Sequence, residues 1–173
     1  REEVGYTEEK GRKVFKPDGT YQKIAAVERH KNTGKIGVGI VKGFGLRGGA
    51  IASSVSHDSH NLIVIGDNDH DMYLAVQELL RTQGGYTLVE NGQVFDTLPL
   101  PIMGLMSDAG YEKVNEKLAR MISKAHEMGI PEGFDPFITL SFMALPVIPE
   151  IRITPRGVYL TQEDRMIQSP FDR

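Results

Sequence analysis

Six consecutive residues, Ser56-His57-Asp58-Ser59-His60-Asn61, gather two imidazoles, one carboxylate, two hydroxyls and one amide. Side chains of these types bind metal ions, move protons near neutral pH and hydrogen-bond heterocycles. The run lies between two apolar, β-branched stretches, residues 50–55 and 62–65, so it sits where one buried strand ends and the next begins. A polar turn accounts for the same residues: Asp58 would bond the backbone N–H groups that follow, and both histidines would face water. On an extended strand Asp58 and His60 would share one face, with His57, Ser59 and Asn61 on the other. Only a turn could bring both imidazoles to one ion, and a first-row metal would still need ligands from elsewhere. His30, His70 and His126 are the other histidines. The last two fall at predicted helix ends, where solvent-facing or dipole roles suit them. No metal site is assigned within this chain.

Two further patterns imitate ligand motifs. Gly43-Phe44-Gly45-Leu46-Arg47-Gly48 is formally a G-x-G-x-x-G sequence after a strand, with Asp67 following later. A dinucleotide site needs a helix to open at the third glycine, whereas residues 50–55 are short and β-branched. The segment reads as a glycine-rich turn that lets backbones approach closely. Asp67-Asn68-Asp69-His70-Asp71, with Glu78, matches the acidic spacing of a calcium loop. The position that should be a sharply turning glycine is Met72, inside amphipathic helix. A helix N-terminus explains these carboxylates without a metal.

The elements that must position these groups follow from periodicity. Residues 23–29 and 35–41 read as strands joined at Asn32-Thr33-Gly34, and residues 50–55 and 62–65 as two more. Residues 69–82 switch to helical spacing, with Met72, Ala75, Val76, Leu79 and Leu80 on one face and Gly84-Gly85 as the stop. Asn91-Gly92 turns a hairpin between strands 86–89 and 94–98. Ser107 or Asp108 caps a second helix reaching about Met128, with Val114, Leu118, Met121, Ile122 and Ala125 inward and Gly129 at its end. Residues 137–143 and 151–160 are expected as final strands, separated by Pro146 and Pro149, which suit no central strand. The fold class is α+β: a mixed β-sheet with two long amphipathic helices packed on one face. The ordered domain is placed at residues 21–167. Residues 1–20 are expected to be a polar linker or the remnant of a preceding domain, and 168–173 a tail.

At 173 residues, one domain with a sizeable core is expected. A net charge of −3 offers no basic excess to meet nucleic-acid phosphates or an anionic membrane. The absence of cysteine removes disulfides, thiolate metal sites and cysteine nucleophiles, and with them the cysteine-ligated zinc deaminases of nucleobases. No apolar stretch approaches the roughly 20 residues of a membrane span, and no signal peptide is visible. The expected compartment is the cytoplasm.

Several long segments carry a family resemblance. Residues 35–61, Gln83-Gly84-Gly85, residues 98–108 (Leu-Pro-Leu-Pro-Ile-Met-Gly-Leu-Met-Ser-Asp) and residues 136–150 (Pro-Phe-Ile-Thr-Leu-Ser-Phe-Met-Ala-Leu-Pro-Val-Ile-Pro-Glu) resemble the C-terminal domain of prokaryotic adenine deaminases. The likeness runs in consistent order from about residue 24 to 160. It implies hydrolysis of adenine to hypoxanthine and ammonia in purine salvage, by an enzyme of the metal-dependent amidohydrolase superfamily. Such enzymes hold a divalent ion (manganese or iron, with zinc a third option) on a barrel bearing a His-x-His pair. This chain has no His-x-His, and His57-Asp58-Ser59-His60 is spaced differently. The resemblance therefore implies that the metal-bearing barrel is a partner domain of the same polypeptide, and that the isolated chain does not turn over substrate.

On this view His57, Asp58 and His60 are catalytic candidates accessory to the barrel, and Asp58, Ser59 and Asn61 are candidates to bind adenine. The full enzyme is expected to be a homo-oligomer. The competing expectation is a non-catalytic assembly domain, docking through apolar segments 98–106 and 146–149.

Overall fold

A computed structural model describes residues 4–167. Six strands form the central sheet: β3 (Tyr21–Val27), β4 (Ile36–Lys42), β5 (Gly49–Ser53), β6 (Leu62–Gly66), β7 (Gly85–Glu90) and β8 (Gln93–Pro99). Their order is β4-β3-β6-β5-β7-β8, and every neighbouring pair is antiparallel. The α+β class holds, but the sheet is not mixed. Hairpin-length connections join β3 to β4 and β7 to β8, which permits antiparallel pairing without crossovers.

The helices α1 (Asp69–Arg81) and α2 (Tyr111–Glu127) pack on opposite faces, not on one. Strand alternation decides this. In β5 and β6, Ile51, Ile63 and Ile65 meet Met121 and Ala125 of α2 in one cluster. Ala50, Ala52, Leu62 and Val64 meet Met72, Ala75 and Leu79 of α1 in the other. Both strands are buried at every position, the mark of a strand covered on two faces. Burying each of Ile51, Ile63, Ile65 and Leu88 contributes about 2 kcal/mol of apolar transfer free energy.

α1 starts where the sequence places it. Asn68 is its N-cap and accepts from the Asp71 N–H, with Asp69 and Asp71 in the first turn. Leu80 is the exception on its apolar face and is exposed. Neither Ser107 nor Asp108 caps α2; Gly110 stands at its N-cap without a side-chain bond. The inward set is otherwise as read: Met121 and Ala125 are buried, and Val114, Leu118 and Ile122 pack against the core. Lys117 ties α2 to Asp96 of β8 at 3.0 Å.

Residues 137–143 are not a strand but most of α3 (Pro136–Phe142). Asp135 accepts from the N–H groups of Phe137 and Ile138, and Pro136 occupies the first turn. That Asp-Pro start outweighs the β-rich composition of Phe137, Ile138 and Thr139. Residues 151–160 form two strands, β9 (Ile151–Thr154) and β10 (Gly157–Leu160), joined at Pro155-Arg156. With β11 (Arg165–Ile167) they make a three-stranded sheet lying against β4. A Cβ at Gly37 would strike the Thr154 carbonyl and Gly157, so only glycine admits this approach. Within residues 1–20, β1 (Thr7–Glu9) and β2 (Arg12–Val14) form an exposed hairpin, and Phe15 is buried. The expected tail, 168–173, lies outside the described residues.

Candidate functional site

Strand β6 has a polar run at each end. The 56–61 run connects β5 to β6 at one end of the sheet, where β3 also ends and β7 begins. It is a turn, so the strand-like alternation of its side chains does not apply. The His60 N–H donates to the Ser56 carbonyl at 2.6 Å and closes it. His60 has φ of +49°, in the left-handed region that costs a non-glycine residue about 1 kcal/mol. The turn brings the two imidazoles together, with ring centroids 6.4 Å apart and planes at 61°. His57 also faces Phe142, the last residue of α3, at 5.1 Å between centroids.

The side chains divide by exposure. Asp58 and Ser59 are exposed, His57 and His60 half-buried, and Ser56 and Asn61 buried. Asn61 Oδ1 accepts from the Arg29 N–H at 3.1 Å. His30 Nε2 donates to the Ser59 carbonyl at 2.7 Å. Arg29 Nη1 donates to the His60 carbonyl at 3.2 Å, and Nη2 to the Met103 carbonyl. Spacing alone had pointed to none of Arg29, Phe142 or Met103. Arg29 and Met103 are far from the run in sequence, and Phe142 belonged to the segment misread as a strand; the Asp135-Pro136 start of α3 was the available signal.

The His60 ring is electrostatically distinctive. Its Nδ1 is buried and has no partner among the described residues. A protonated ring would need an acceptor there, so desolvation penalises the imidazolium. Burial first, then the nearby His57, Arg29 and His30, lower its pKa below the usual histidine value, against the opposing pull of Asp58. Neutral imidazole is therefore favoured, able to accept a proton or a hydrogen bond.

A divalent metal does not fit this turn. Among the described residues no three His, Asp or Glu side chains gather as a ligand set, and His57, Asp58 and His60 do not converge on one point.

At the other end of β6 the polar groups are already engaged. Asp67 accepts from the Gly48 and Gly49 N–H groups at 2.5 and 3.0 Å. Asn68 caps α1 and donates to Asp67 and Asp71. The acidic run is thus a helix start and a loop anchor, and amphipathic helix already runs where a calcium loop would turn. The glycine-rich segment leads into strand β5 rather than a helix. Gly43, Gly45 and Gly48 have φ of +79°, +87° and +70°, and a Cβ on Gly45 would lie 2.5 Å from the Gly129 carbonyl. It is a close-approach turn and not a nucleotide loop.

Beside the 56–61 turn, Met103, whose carbonyl Arg29 holds, and Phe142, which faces His57, leave apolar surface exposed. An antiparallel sheet covered by helices on both faces, with two histidines and a carboxylate on a turn at one end, defines an α+β domain. The chain belongs to the adenine deaminase C-terminal domain family, whose model matches residues 1–165.

An adenine deaminase of Desulfitobacterium hafniense is 58% identical over 154 residues, covering 89% of this chain and 27% of that protein. Adenine deaminases of Clostridium acetobutylicum and Bacillus subtilis are 51% and 49% identical, each over 84% of this chain and 26% of the relative. The chain thus spans about a quarter of the length of the curated relatives it matches.

Proposed function

We propose that this chain is the C-terminal part of an enzyme that converts adenine and water to hypoxanthine and ammonia, and that the 56–61 turn lines its active site. The observation that carries this reading is the idle chemistry of the turn. Asp58 projects into solvent with no hydrogen bond to its carboxylate among the described residues, beside a neutral His60. A fold does not require those groups where they stand. The site role gives them work: Asp58 accepts from N–H groups of the purine, Ser59 adds an exposed hydroxyl, and Asn61 contributes through the turn it anchors.

His60 takes or returns a proton as the C6–N bond breaks and ammonia leaves, a step that general acid–base groups accelerate by about 10²–10⁴-fold. His57, held against Phe142, borders the same space. The divalent ion is assigned to residues outside this chain, on the barrel of the same polypeptide, with manganese or iron preferred to zinc. The enzyme works in purine salvage in the cytoplasm as a homo-oligomer. Among the described residues no helix is long and apolar enough to cross a membrane.

The test is kinetic, in the full-length enzyme. His60→Ala and Asp58→Ala each lower kcat/KM for adenine by about 10²-fold or more, with thermal unfolding unchanged. Wild-type kinetics in both variants would sink the reading.

The exposed Met103, Met106 and Val147 favour a second reading, a domain that serves assembly alone. Removing the domain would then abolish oligomerisation in sedimentation while turnover survived.

A further inference from the structure

Arg29 lies two residues beyond the end of β3, outside the polar run, yet it bonds that run at two points and the 100–106 loop at a third. Its backbone N–H donates to Asn61 Oδ1 at 3.1 Å, its Nη1 to the His60 carbonyl at 3.2 Å, and its Nη2 to the Met103 carbonyl. Gly104 lies so close to the guanidinium that a Cβ there would collide with it, and Gly104 has φ of +75°. The Gly104 carbonyl is itself fixed by Ser54 Oγ at 2.6 Å, which also accepts from the Gly85 N–H at 2.8 Å. One guanidinium thus joins the end of β3, the β5–β6 turn and the 100–106 loop.

Its charge is the second observation. Arg29 pairs with no carboxylate among the described residues; its side chain donates only to backbone carbonyls. A partly buried cation without an anion is costly to hold for packing alone. A lysine could not span both carbonyls, because its ammonium is a point charge where the guanidinium is a rigid fork.

We propose that Arg29 is a positioning residue for the reaction, clamping the His57–His60 turn and the Met103 loop to β3 in the one arrangement that presents the His60 ring beside Asp58. This rests on the site role given to the turn above. Arg29 touches no substrate; it acts through the turn. The groups facing His60 are His57, Asp58, Arg29 and His30. Of these, Arg29 is the permanent positive charge that opposes protonation of the ring. Activity that needs neutral His60 falls as pH drops through its pKa. Removing the Arg29 charge raises that pKa, so the acid limb of the rate profile moves to higher pH.

The test uses the full-length enzyme with Arg29→Met, Arg29→Lys and, as references, His60→Ala and Asp58→Ala. Arg29→Met lowers kcat/KM for adenine at least about tenfold, since small misplacements of a reacting group cost up to about 10²-fold, and it shifts the acid limb upward. Arg29→Lys also loses kcat/KM but keeps the acid limb near wild type, because charge is retained while the fork is lost.

Wild-type kcat/KM in Arg29→Met, with His60→Ala impaired, overturns the clamp and leaves the site role standing. Wild-type kinetics in both His60→Ala and Asp58→Ala overturns the site role itself. A fall in melting temperature with an unmoved acid limb in Arg29→Met makes Arg29 a loop staple only, which also overturns the proposal. If Arg29→Met does not fold, Arg29→Lys decides, and wild-type kcat/KM there is the overturning result.

Discussion

The two ends of strand β6 carry polar runs of similar composition and opposite use. Beyond Gly66, Asp67, Asn68 and Asp71 bond the Gly48 and Gly49 amides, cap α1 and bond one another. Ahead of Leu62, Asp58 is exposed, His60 Nδ1 and Ser56 Oγ have no partners among the described residues, and His60 sits at positive φ. Asp67, Asn68 and Asp71 satisfy one another at one end, whereas at the other His60 Nδ1 and Ser56 Oγ have no partner among the described residues. Local backbone geometry explains the first run completely and the second only in part. Acidic density alone therefore does not mark a site, because the Asp67–Asp71 run is spent on the α1 start and the 48–49 loop.

The comparison breaks most readily at Asp67. Replacing Asp67 with Ala leaves the Gly48 and Gly49 N–H groups without their charged acceptor, a loss of about 3 kcal/mol for two charge-assisted bonds. Native-state hydrogen exchange at the Ala50 and Ile51 amides reads this as easier local opening. The kcat/KM of the full-length enzyme stays at the wild-type value in the folded fraction. His60→Ala should do the reverse, so a kinetic defect in Asp67→Ala would erase the distinction between the two ends.

A smaller effect sharpens the same contrast. Asn68→Ala removes the α1 cap bond to Asp71 and costs about 1 kcal/mol. The loss is read in the exchange of α1 amides, and turnover is again unaffected. An unchanged exchange pattern would mean that the Asp67–Asp71 cluster holds the helix start without Asn68.

Most strands and two helices were legible because period-2 and period-3.6 patterns, Asn91-Gly92 and the Asp67–Asp71 run at a helix start are local signals. Apart from α3, whose Asp135-Pro136 start is a local signal, the rest needs tertiary context. Residues 62–65 show a run of Leu, Ile, Val and Ile that says both faces are covered, yet nothing in α1 or α2 says which face each helix takes. Phe137, Ile138 and Thr139 suit a strand, and the Asp135 bonds to two amides with Pro136 in the first turn make them a helix. The 56–61 run was visible from side-chain types alone. That Arg29 and Phe142 reach it was not, because β3 and α3 arrive there by sheet pairing and packing rather than by sequence proximity. The order β4-β3-β6-β5-β7-β8 places the end of β3 beside the start of β6, and no local pattern encodes that adjacency.

Acid should act on the His60 end through a loop behind it. Glu28 accepts from the His30, Lys31 and Thr33 N–H groups and from Thr33 Oγ1. The bond from the Thr33 backbone leads in lowering its pKa from 4.5 to about 2. A depressed carboxylate stabilises the folded loop fully above its unfolded value, and that stabilisation is lost as pH falls from about 4.5 toward 2. His30 sits in this loop and donates to the Ser59 carbonyl, so the turn loses a support as Glu28 takes up its proton. A carboxyl label on Glu28, followed by NMR across this range, should show a midpoint near 2. The Thr33 amide should lose exchange protection in step. A midpoint at the ordinary carboxylate value would mean that the loop does not donate to Glu28 in solution. The 56–61 turn would then rest on Arg29 without the His30 buttress, and the contrast with the self-contained acidic run would widen.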